Sequence, residues 1–170
     1  LNEDYFDLTE LANEVMTQLE PYATEQEISL KLADSKRLRI SASRDHVKQL
    51  LMNLIDNGIK YNRPGGTVTV SWSAFDTHVK TLADRRNISR LTFSVEDNGI
   101  GIPEADQSRI FERFYRIDRS RSQEPKGTGL GLAIVKHIAL LYNGEVSVRS
   151  RLGIGTTIYA SLIIPVENQV

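Results

Sequence analysis

Two glycine-rich segments in the second half of the chain most restrict what it can fold into. Residues 97–103 read DNGIGIP, and residues 126–132 read KGTGLGL, with three glycines at alternate positions. Because glycine is unfavourable inside both helices and strands, we predict that the first segment is a turn that follows a strand. The second is followed at once by an amphipathic pattern, so we predict that it opens a helix and is not a flexible linker.

Around these segments, hydrophobic periodicity predicts a mixture of helices and strands. Helical spacing predicts helices over 9–19, 44–61 and 128–141, with Pro21 closing the first and Ser43 capping the second. Alternation of apolar and polar residues predicts strands over 28–33, 38–41, 67–75, 89–95, 145–150 and 156–163. We also predict a long hairpin loop over 76–90, a short helix over 108–115 and a mobile loop over 116–126. Together these elements indicate an α+β fold in which helices cover one face of a sheet.

Composition narrows the class of protein. The 170 residues suit one domain, and the net charge of -1 does not indicate a surface for nucleic acid. The chain has no cysteine, which excludes disulfides, thiol catalysis and cysteine metal sites. No apolar run reaches the roughly 18 residues that a membrane span needs. The acidic first residues are unlike a signal peptide, and no initiator methionine is present, so we expect a fragment of a longer protein.

The first group of candidate site residues lies on one face of the predicted helix 44–61. Asn53, Asn57 and Tyr61 are four apart and therefore share a face, with Lys60 beside them. Carboxamide oxygens are hard ligands that suit Mg²⁺, and an ammonium group can pair with phosphate. The same pattern also fits a solvated polar helix face with Tyr61 at its rim, and the spacing alone leaves both interpretations open.

The glycine-rich segments supply two further groups. Asp97 ends a predicted strand, where a semi-buried carboxylate can accept a hydrogen bond from an exocyclic amine such as that of adenine, although Asp-Asn-Gly is also common turn chemistry. The helix start at 126–132 favours anions such as phosphate, but its glycine spacing is neither that of a P-loop nor that of the dinucleotide fingerprint. Residues 153–157 (GIGTT) are typical of a plain hairpin turn.

The order of these motifs resembles the catalytic domain of sensor histidine kinases. The asparagine-bearing helix, the DNGIG of 97–101, the FERFYR of 111–116 and the GTGLG of 127–131 look like that family's N, G1, F and G2 boxes. The resemblance extends from Phe6 to Pro165. It implies a two-layer α/β sandwich of the Bergerat type with a mixed, mostly antiparallel sheet, as in gyrase, MutL and chaperone ATPases. It also implies one ATP-binding domain over 1–170, with an ATP lid at about 103–126 and with ATP and Mg²⁺ as cofactors.

The family's site roles carry over to the matching positions. The resemblance implies that Asn53 coordinates Mg²⁺, that Asn57 and Lys60 contact the phosphates and that Tyr61 stacks against adenine. By the same resemblance, Asp97 accepts the hydrogen bond of the adenine amino group.

Other matching positions complete the implied site. Arg116 and Arg113 would act with Asn53 in catalysis by reaching the γ-phosphate, where positive charge stabilises phosphoryl transfer. Thr156 would touch the pocket wall. The base pocket would be shaped by Gly99, Gly101 and Ile102, and the triphosphate framed by Lys126, Gly127, Thr128, Gly129, Leu130, Gly131 and Leu132.

The residue at position 53 separates two branches of this superfamily. The hydrolytic relatives carry a glutamate at the position of Asn53, and an amide has no basic oxygen to activate water. We therefore expect weak ATPase activity and transfer of the phosphate to another group. His46, His78 and His137 do not resemble an acceptor motif, so the acceptor histidine is expected on a separate dimerisation domain. The alternative function is a regulatory module that binds nucleotide without transferring it.

The resemblance also sets expectations for the whole protein. Its partners would be its own dimerisation and histidine-phosphotransfer domain and, indirectly, a response regulator, with no nucleic acid. The fragment would be monomeric and cytoplasmic, and the parent protein a homodimer anchored in a bacterial cell membrane. This chain departs from the family pattern at Gly58, where alanine is usual, at Asn62, where serine or threonine is usual, and in the length of the segment 76–90.

Overall fold

The computed structural model describes residues 5–80, 86–117 and 129–168 as a sheet with helices packed against one face. The described helices are α1 (Leu8–Glu25), α2 (Arg44–Lys60), α3 (Glu104–Gln107) and α4 (Gly131–Leu141). The described strands are β1 (Phe6–Asp7), β2 (Ser29–Leu32), β3 (Leu38–Ile40), β4 (Thr67–Lys80), β5 (Asn87–Asp97), β6 (Val146–Arg151) and β7 (Gly155–Asn168). The α+β class and the two-layer arrangement predicted from the sequence are confirmed.

The sheet brings the ends of three long strands together. Its strand order is β1-β3-β7-β5-β4-β2, and β6 pairs with β7 off this path. Only β2 and β4 run parallel among the described pairs, so the sheet is mostly antiparallel, as expected. Asp97, the last residue of β5, lies opposite Val68 on β4 and opposite Thr156 on β7. This end of the sheet is therefore where the candidate aspartate meets the turn that precedes β7.

The core lies between one face of the sheet and the helices. Residues at alternate positions of the strands are buried, which is the pattern of a sheet covered on one side. The largest fully buried side chains include Phe93, Leu91, Leu50, Leu51, Leu54, Ile55 and Ile138, drawn from β5, α2 and α4. Burial of one such side chain stabilises the fold by roughly 1.5–3 kcal/mol. None of the described helices is both long enough and apolar enough to cross a membrane.

Three local predictions are wrong. Helix α1 does not end before Pro21 but continues to Glu25, and Ala23 in its last turn is fully buried. Residues 108–115 do not form a helix. Instead, α3 lies earlier and is followed by turns with bonds between residues three apart, such as Arg109 N–H to Asp106 O at 2.9 Å.

The third error concerns the predicted loop 76–90. Strand β4 continues to Lys80 and β5 already begins at Asn87, with a register shift between Asp76 and Val79. At this register shift, Thr77 Oγ1 donates a hydrogen bond to the carbonyl of Ile88 at 2.5 Å, so a side chain replaces part of the backbone pairing. A bulge of this kind breaks the alternation by which strands are recognised in a sequence. The positions 81–85 of that predicted loop lie outside the described residues.

Candidate functional site

Helix α2 presents the candidate amide, ammonium and phenol groups. Ser43 caps its start by accepting a hydrogen bond from a backbone N–H of the first turn at 3.3 Å, as predicted, and Tyr61 follows its last residue. Asn53, Asn57, Lys60 and Tyr61 are all half-buried, whereas the sheet-facing side of the helix is fully buried. The helix therefore holds these four groups at the margin of the core, where they are accessible to a ligand.

The side-chain nitrogen Nδ2 of Asn53 is buried, and the side chain lies next to the start of α4. Its Nδ2 has no hydrogen-bond partner among the described residues, and a Cβ placed on Gly131 would lie 3.9 Å from Asn53 Oδ1. A buried polar atom without a partner costs free energy, and a half-turn of the amide exchanges its nitrogen and oxygen. Asn53 is thus positioned to give either a donor or a hard oxygen ligand to a polar group between α2 and α4.

The ammonium group of Lys60 pairs with a neighbour on its own helix. Its Nζ lies 2.8 Å from Asp56 Oδ2, with the two side chains 27% and 35% exposed. An ion pair four residues apart on a helix contributes only about 0.3–0.5 kcal/mol. A phosphate group can therefore share or take this ammonium group at little cost.

Asp97 carries the only buried carboxyl group among the described residues. It is only 8% exposed, and its Oδ1 accepts hydrogen bonds from Gly99 N–H at 2.9 Å and Thr156 N–H at 3.3 Å. Burial raises the pKa of Asp97 to about 6, even though the bonds from Gly99 and Thr156 act to lower it. A buried carboxylate at the end of β5 is a strong acceptor for an amine that enters the site.

The glycines after Asp97 are required by close contacts within the chain. A Cβ on Gly99 would lie 2.3 Å from the carbonyl oxygen of Tyr61. Gly101 has a φ of +75°, and a Cβ there would lie 2.2 Å from the carbonyl oxygen of Arg151. Any larger residue would push this turn away from α2 or from the β6–β7 hairpin.

Beside Asp97, the residues Ile102 and Thr156 form a wall that is held in place by the hydroxyl groups of Ser150 and Thr156. Ser150 Oγ accepts a hydrogen bond from Ile102 N–H at 2.8 Å and lies 2.7 Å from Thr156 Oγ1. Ile102 and Thr156 are both buried. Gln107 of α3 donates to the carbonyl of Ile102 at 3.0 Å, which connects this wall to helix α3.

The FERFYR segment contacts the second glycine-rich segment. Phe114 N–H donates to the carbonyl of Gly129 at 2.9 Å, and both residues have positive φ values, of 64° and 78°. Arg113 is exposed and Arg116 is half-buried on this segment. Gly129 and Leu130 directly precede α4, which begins at Gly131 and includes Leu132. The other predicted members of this group, Lys126, Gly127 and Thr128, lie outside the described residues, as do positions 118–126 of the predicted lid.

The structure connects the turn after β5 with the C-terminal end of α2 and with the start of β7. The carbonyl of Tyr61 accepts a hydrogen bond from Ile100 N–H at 3.2 Å, which joins α2 to the turn after β5. Asp97 and Thr156 join that turn to β7, and Asn53 lies beside Gly131 at the start of α4, where a Cβ would come within 3.9 Å of its Oδ1. Residues far apart in the chain are thus connected through α2, which contacts the turn after β5 at Tyr61 and lies beside the start of α4 at Asn53.

Sequence reasoning missed the residues that hold this region in shape. Ser150, Gln107 and Asn98 were not singled out as site residues, and Asn62 was noted only as a departure from the family pattern. Asn98 Oδ1 accepts from Thr67 N–H at 2.7 Å, and Asn62 Oδ1 accepts from Arg63 N–H at 2.8 Å. The asparagines gave a usable signal, because asparagine in a turn often bonds a nearby backbone group. Ser150 lies in a regular strand pattern, which gave no such signal.

Comparisons with known proteins agree with this architecture. The family model described as histidine kinase-, DNA gyrase B-, and HSP90-like ATPase matches residues 42–167. The chain is 33% identical over 159 residues to the sensor-like histidine kinase SenX3 of Mycolicibacterium smegmatis, covering 94% of this chain and 38% of that protein. It is 39% identical over 152 residues to the sensor histidine kinase YkoH of Bacillus subtilis, covering 89% of this chain and 30% of that protein. The chain thus spans well under half the length of these relatives.

Solved structures match over nearly the whole chain. The crystal structure of full-length ShkA in complex with AMPPNP is 29% identical with a TM-score of 0.80, covering 98% of this chain and 32% of that chain. The mycobacterial sensor histidine kinase MprB is 25% identical with a TM-score of 0.76, covering 95% of this chain and 99% of that chain. Since the family model matches well over half of the residues, the chain belongs to the family of histidine kinase-, DNA gyrase B- and HSP90-like ATPases, and its relatives in these comparisons are sensor histidine kinases.

Proposed function

We propose that this chain is the catalytic domain of a two-component sensor histidine kinase. It binds Mg-ATP and transfers the γ-phosphate to a histidine on a separate dimerisation domain. The observation that carries the proposal is the buried carboxyl group of Asp97, held by the N–H groups of Gly99 and Thr156 beside the amide-bearing face of α2. A charged acceptor at this depth suits the amino group of adenine, and its loss would cost about 1.5–3 kcal/mol of binding.

The groups for the triphosphate follow from α2 and the start of α4. Lys60 and Asn57 would contact phosphate oxygens, with Lys60 leaving or sharing its pair with Asp56. Tyr61 would stack against the adenine, whose pocket Gly99, Gly101 and Ile102 would shape with Thr156. The glycine-rich segment 126–132 would frame the phosphates at a helix N-terminus, where backbone N–H groups favour anions.

The residues present fit a magnesium ion that is bound mainly by the nucleotide. The described residues contain no cluster of His, Cys, Asp and Glu that could hold a metal alone, whereas the buried Nδ2 of Asn53 has no partner among them, so the amide can turn to present its oxygen to the ion. Mg²⁺ is often bound through few protein oxygens together with substrate phosphates. Asn53 would hold the ion through Oδ1, and the bound ion would neutralise charge on the phosphates.

The same residue favours transfer over hydrolysis. An amide cannot take a proton from water, so Asn53 does not provide the general base that a hydrolytic relative has in a glutamate. Arg116 and Arg113 would place positive charge near the γ-phosphate as it moves, under a lid at about 103–126. The incoming nucleophile would then be the imidazole of the acceptor histidine.

The described histidines have other surroundings. His46 Nδ1 lies 2.8 Å from Tyr142 Oη, which ties α2 to the end of α4, and His78 and His137 are exposed. We therefore place the acceptor on the protein's own dimerisation domain, with a response regulator as the later phosphate acceptor. The complete protein would be a homodimer at a bacterial membrane, with this domain in the cytoplasm.

Labelled phosphate transfer tests the proposal. The purified domain is mixed with Mg²⁺, γ-labelled ATP and an isolated dimerisation domain from a related kinase, and acid-labile label on that domain is measured. We expect transfer that is lost when Asn53 is replaced by alanine, together with little phosphate release when no acceptor is supplied. Tight ATP binding with no transfer to any acceptor would favour the regulatory-module alternative, and rapid release of free phosphate would contradict the assigned role of Asn53.

A further inference from the structure

Arg63 belongs to none of the predicted groups, yet its side chain connects two loops of the candidate site. Its Nη2 donates to the carbonyl oxygen of Gly99 at 3.0 Å and to the carbonyl oxygen of Gly153. Gly99 lies in the turn after β5, and Gly153 lies in the turn between β6 and β7. Both bonds come from Nη2, whose two N–H groups point in fixed directions within the guanidinium plane, whereas the N–H groups of an ammonium rotate freely.

The backbone of Arg63 is itself fixed. Its carbonyl accepts a hydrogen bond from Gly66 N–H at 2.8 Å, and Gly65 has a φ of +87°. Proline followed by a glycine of positive φ is typical of a type II turn, here with Pro64 at the second position. Asn62 Oδ1 also accepts from Arg63 N–H at 2.8 Å. The guanidinium group therefore extends from a rigid point directly after α2.

The two loops that Arg63 bridges contain or directly precede the two N–H groups that donate to Asp97. The turn after β5 supplies Gly99 N–H, and the turn before β7 leads into Thr156, which supplies the second N–H. Gly153 N–H also donates to the carbonyl of Ile100 at 2.7 Å, so the loops touch each other directly. Arg63 adds a charged bridge at the point where the loops meet.

The bridge formed by Arg63 also strengthens the hydrogen bond between the turn after β5 and the end of α2. The carbonyl of Gly99 and the N–H of Ile100 belong to one peptide group, and that N–H donates to the carbonyl of Tyr61 at 3.2 Å. A cation at one end of a peptide group polarises it and strengthens the hydrogen bond at the other end. Arg63 thus stabilises the turn against α2 as well as against the β6–β7 hairpin.

We propose that Arg63 is a positioning residue that holds the two loops at the spacing at which Asp97 faces the amino group of adenine. Its effect is on the choice of purine, because only a base with an exocyclic amine can donate to the carboxylate that these loops orient. The inference rests on the proposed function, since it assigns Arg63 a role toward the same nucleotide site.

Calorimetric titration of ADP and of inosine diphosphate tests this role, because inosine diphosphate lacks the amine at the same ring position. The variants are Arg63→Ala, Arg63→Lys and, as a control, Arg37→Ala, which removes a 62% exposed arginine paired with Asp7. We expect Arg63→Ala to weaken ADP binding about tenfold and inosine diphosphate binding by no more than about twofold, with Arg63→Lys in between. Amide hydrogen exchange without nucleotide should become faster at Ile100, Gly153 and Thr156 in Arg63→Ala, and unchanged in the control.

Two results would overturn the inference. Equal ADP affinity in wild type and Arg63→Ala would show that the bridge does not position the pocket, and equal loss for both nucleotides would show a general effect without selectivity. A wild-type protein that binds neither nucleotide would refute the proposed function instead, and with it any role of Arg63 toward adenine.

Discussion

Among single residues, Asp97 shows the clearest conflict between stability and its proposed role in binding. Its carboxyl group is almost fully buried, and burial raises its pKa from 3.8 to about 6. The folded chain therefore holds the proton of Asp97 more tightly than the unfolded chain does. The stabilisation linked to this proton is complete below the unfolded pKa and is lost as the pH rises through the folded pKa. At neutral pH the fold carries an ionised group at a cost, as expected of a residue kept for its chemistry.

A comparison of Asp97→Asn with wild type should reveal this cost. The amide keeps an oxygen for the N–H groups of Gly99 and Thr156 but carries no charge. The free energy of unfolding of the variant, relative to wild type, should rise by up to about 3 kcal/mol between pH 4 and pH 7 and level off above. Denaturant unfolding across this pH range measures it.

Asp34→Asn is the matched control, because Asp34 is exposed between β2 and β3. This variant likewise replaces a carboxyl group by an amide, but at an exposed position, so it corrects for the change of charge alone. A pH-independent difference for Asp97→Asn would mean that burial of this carboxyl group does not shift its titration.

The sequence revealed some site residues and not others for a physical reason. Asp97 could be found because it ends an alternating strand and precedes two glycines, which is a pattern within the chain. Arg63 could not be found, because its partners are the carbonyl oxygens of Gly99 and Gly153, and any residue type presents a carbonyl. A hydrogen bond from a side chain to a distant backbone carbonyl requires no particular residue type at the carbonyl, so the sequence does not reveal it.

At the scale of elements, the packing of α2 against β4 accounts for the departure at Gly58. A Cβ on Gly58 would lie 3.1 Å from both γ-methyl groups of Val68, which is fully buried on a strand paired on both sides. Alanine would favour the helix by about 1 kcal/mol, whereas overpacking a core costs about 1–3 kcal/mol.

We therefore expect Gly58→Ala to lower the free energy of unfolding by about 1 kcal/mol. The double variant with Val68→Ala should be more stable than the sum of the two single changes, since the new methyl group fills part of the space that valine leaves. A double-mutant cycle by denaturant unfolding measures this coupling. Additive changes would show that Gly58 and Val68 do not compete for the same space.

Element boundaries were predicted best where one periodicity continued without interruption. Helix α2 extends over Arg44–Lys60, within one residue of the prediction, because its apolar stripe and its cap agree. Strand β4 was predicted too short, because the bulge at Asp76 interrupts the alternation while pairing with β5 continues. Helix α1 continues through Pro21, where burial of Ala23 in the last turn outweighs the local preference to stop.

At the scale of the whole molecule, the sheet order explains why separate motifs meet at one end of the sheet. β5 lies between β4 and β7, so the turn after β5 meets the C-terminal end of α2, which leads into β4, and the hairpin that leads into β7. The class of fold and the presence of a sheet with one covered face followed from the sequence. The strand order did not, because no local pattern states which strands become neighbours.

Titration of the folded domain with ATP and Mg²⁺ tests the central claim most directly, since every proposed role depends on a nucleotide bound at Asp97. We predict one ATP per chain, affinity reduced at least about tenfold in Asp97→Asn, and no change in Asp34→Asn. Absence of binding in wild type, or equal affinity in wild type and Asp97→Asn, would contradict the account.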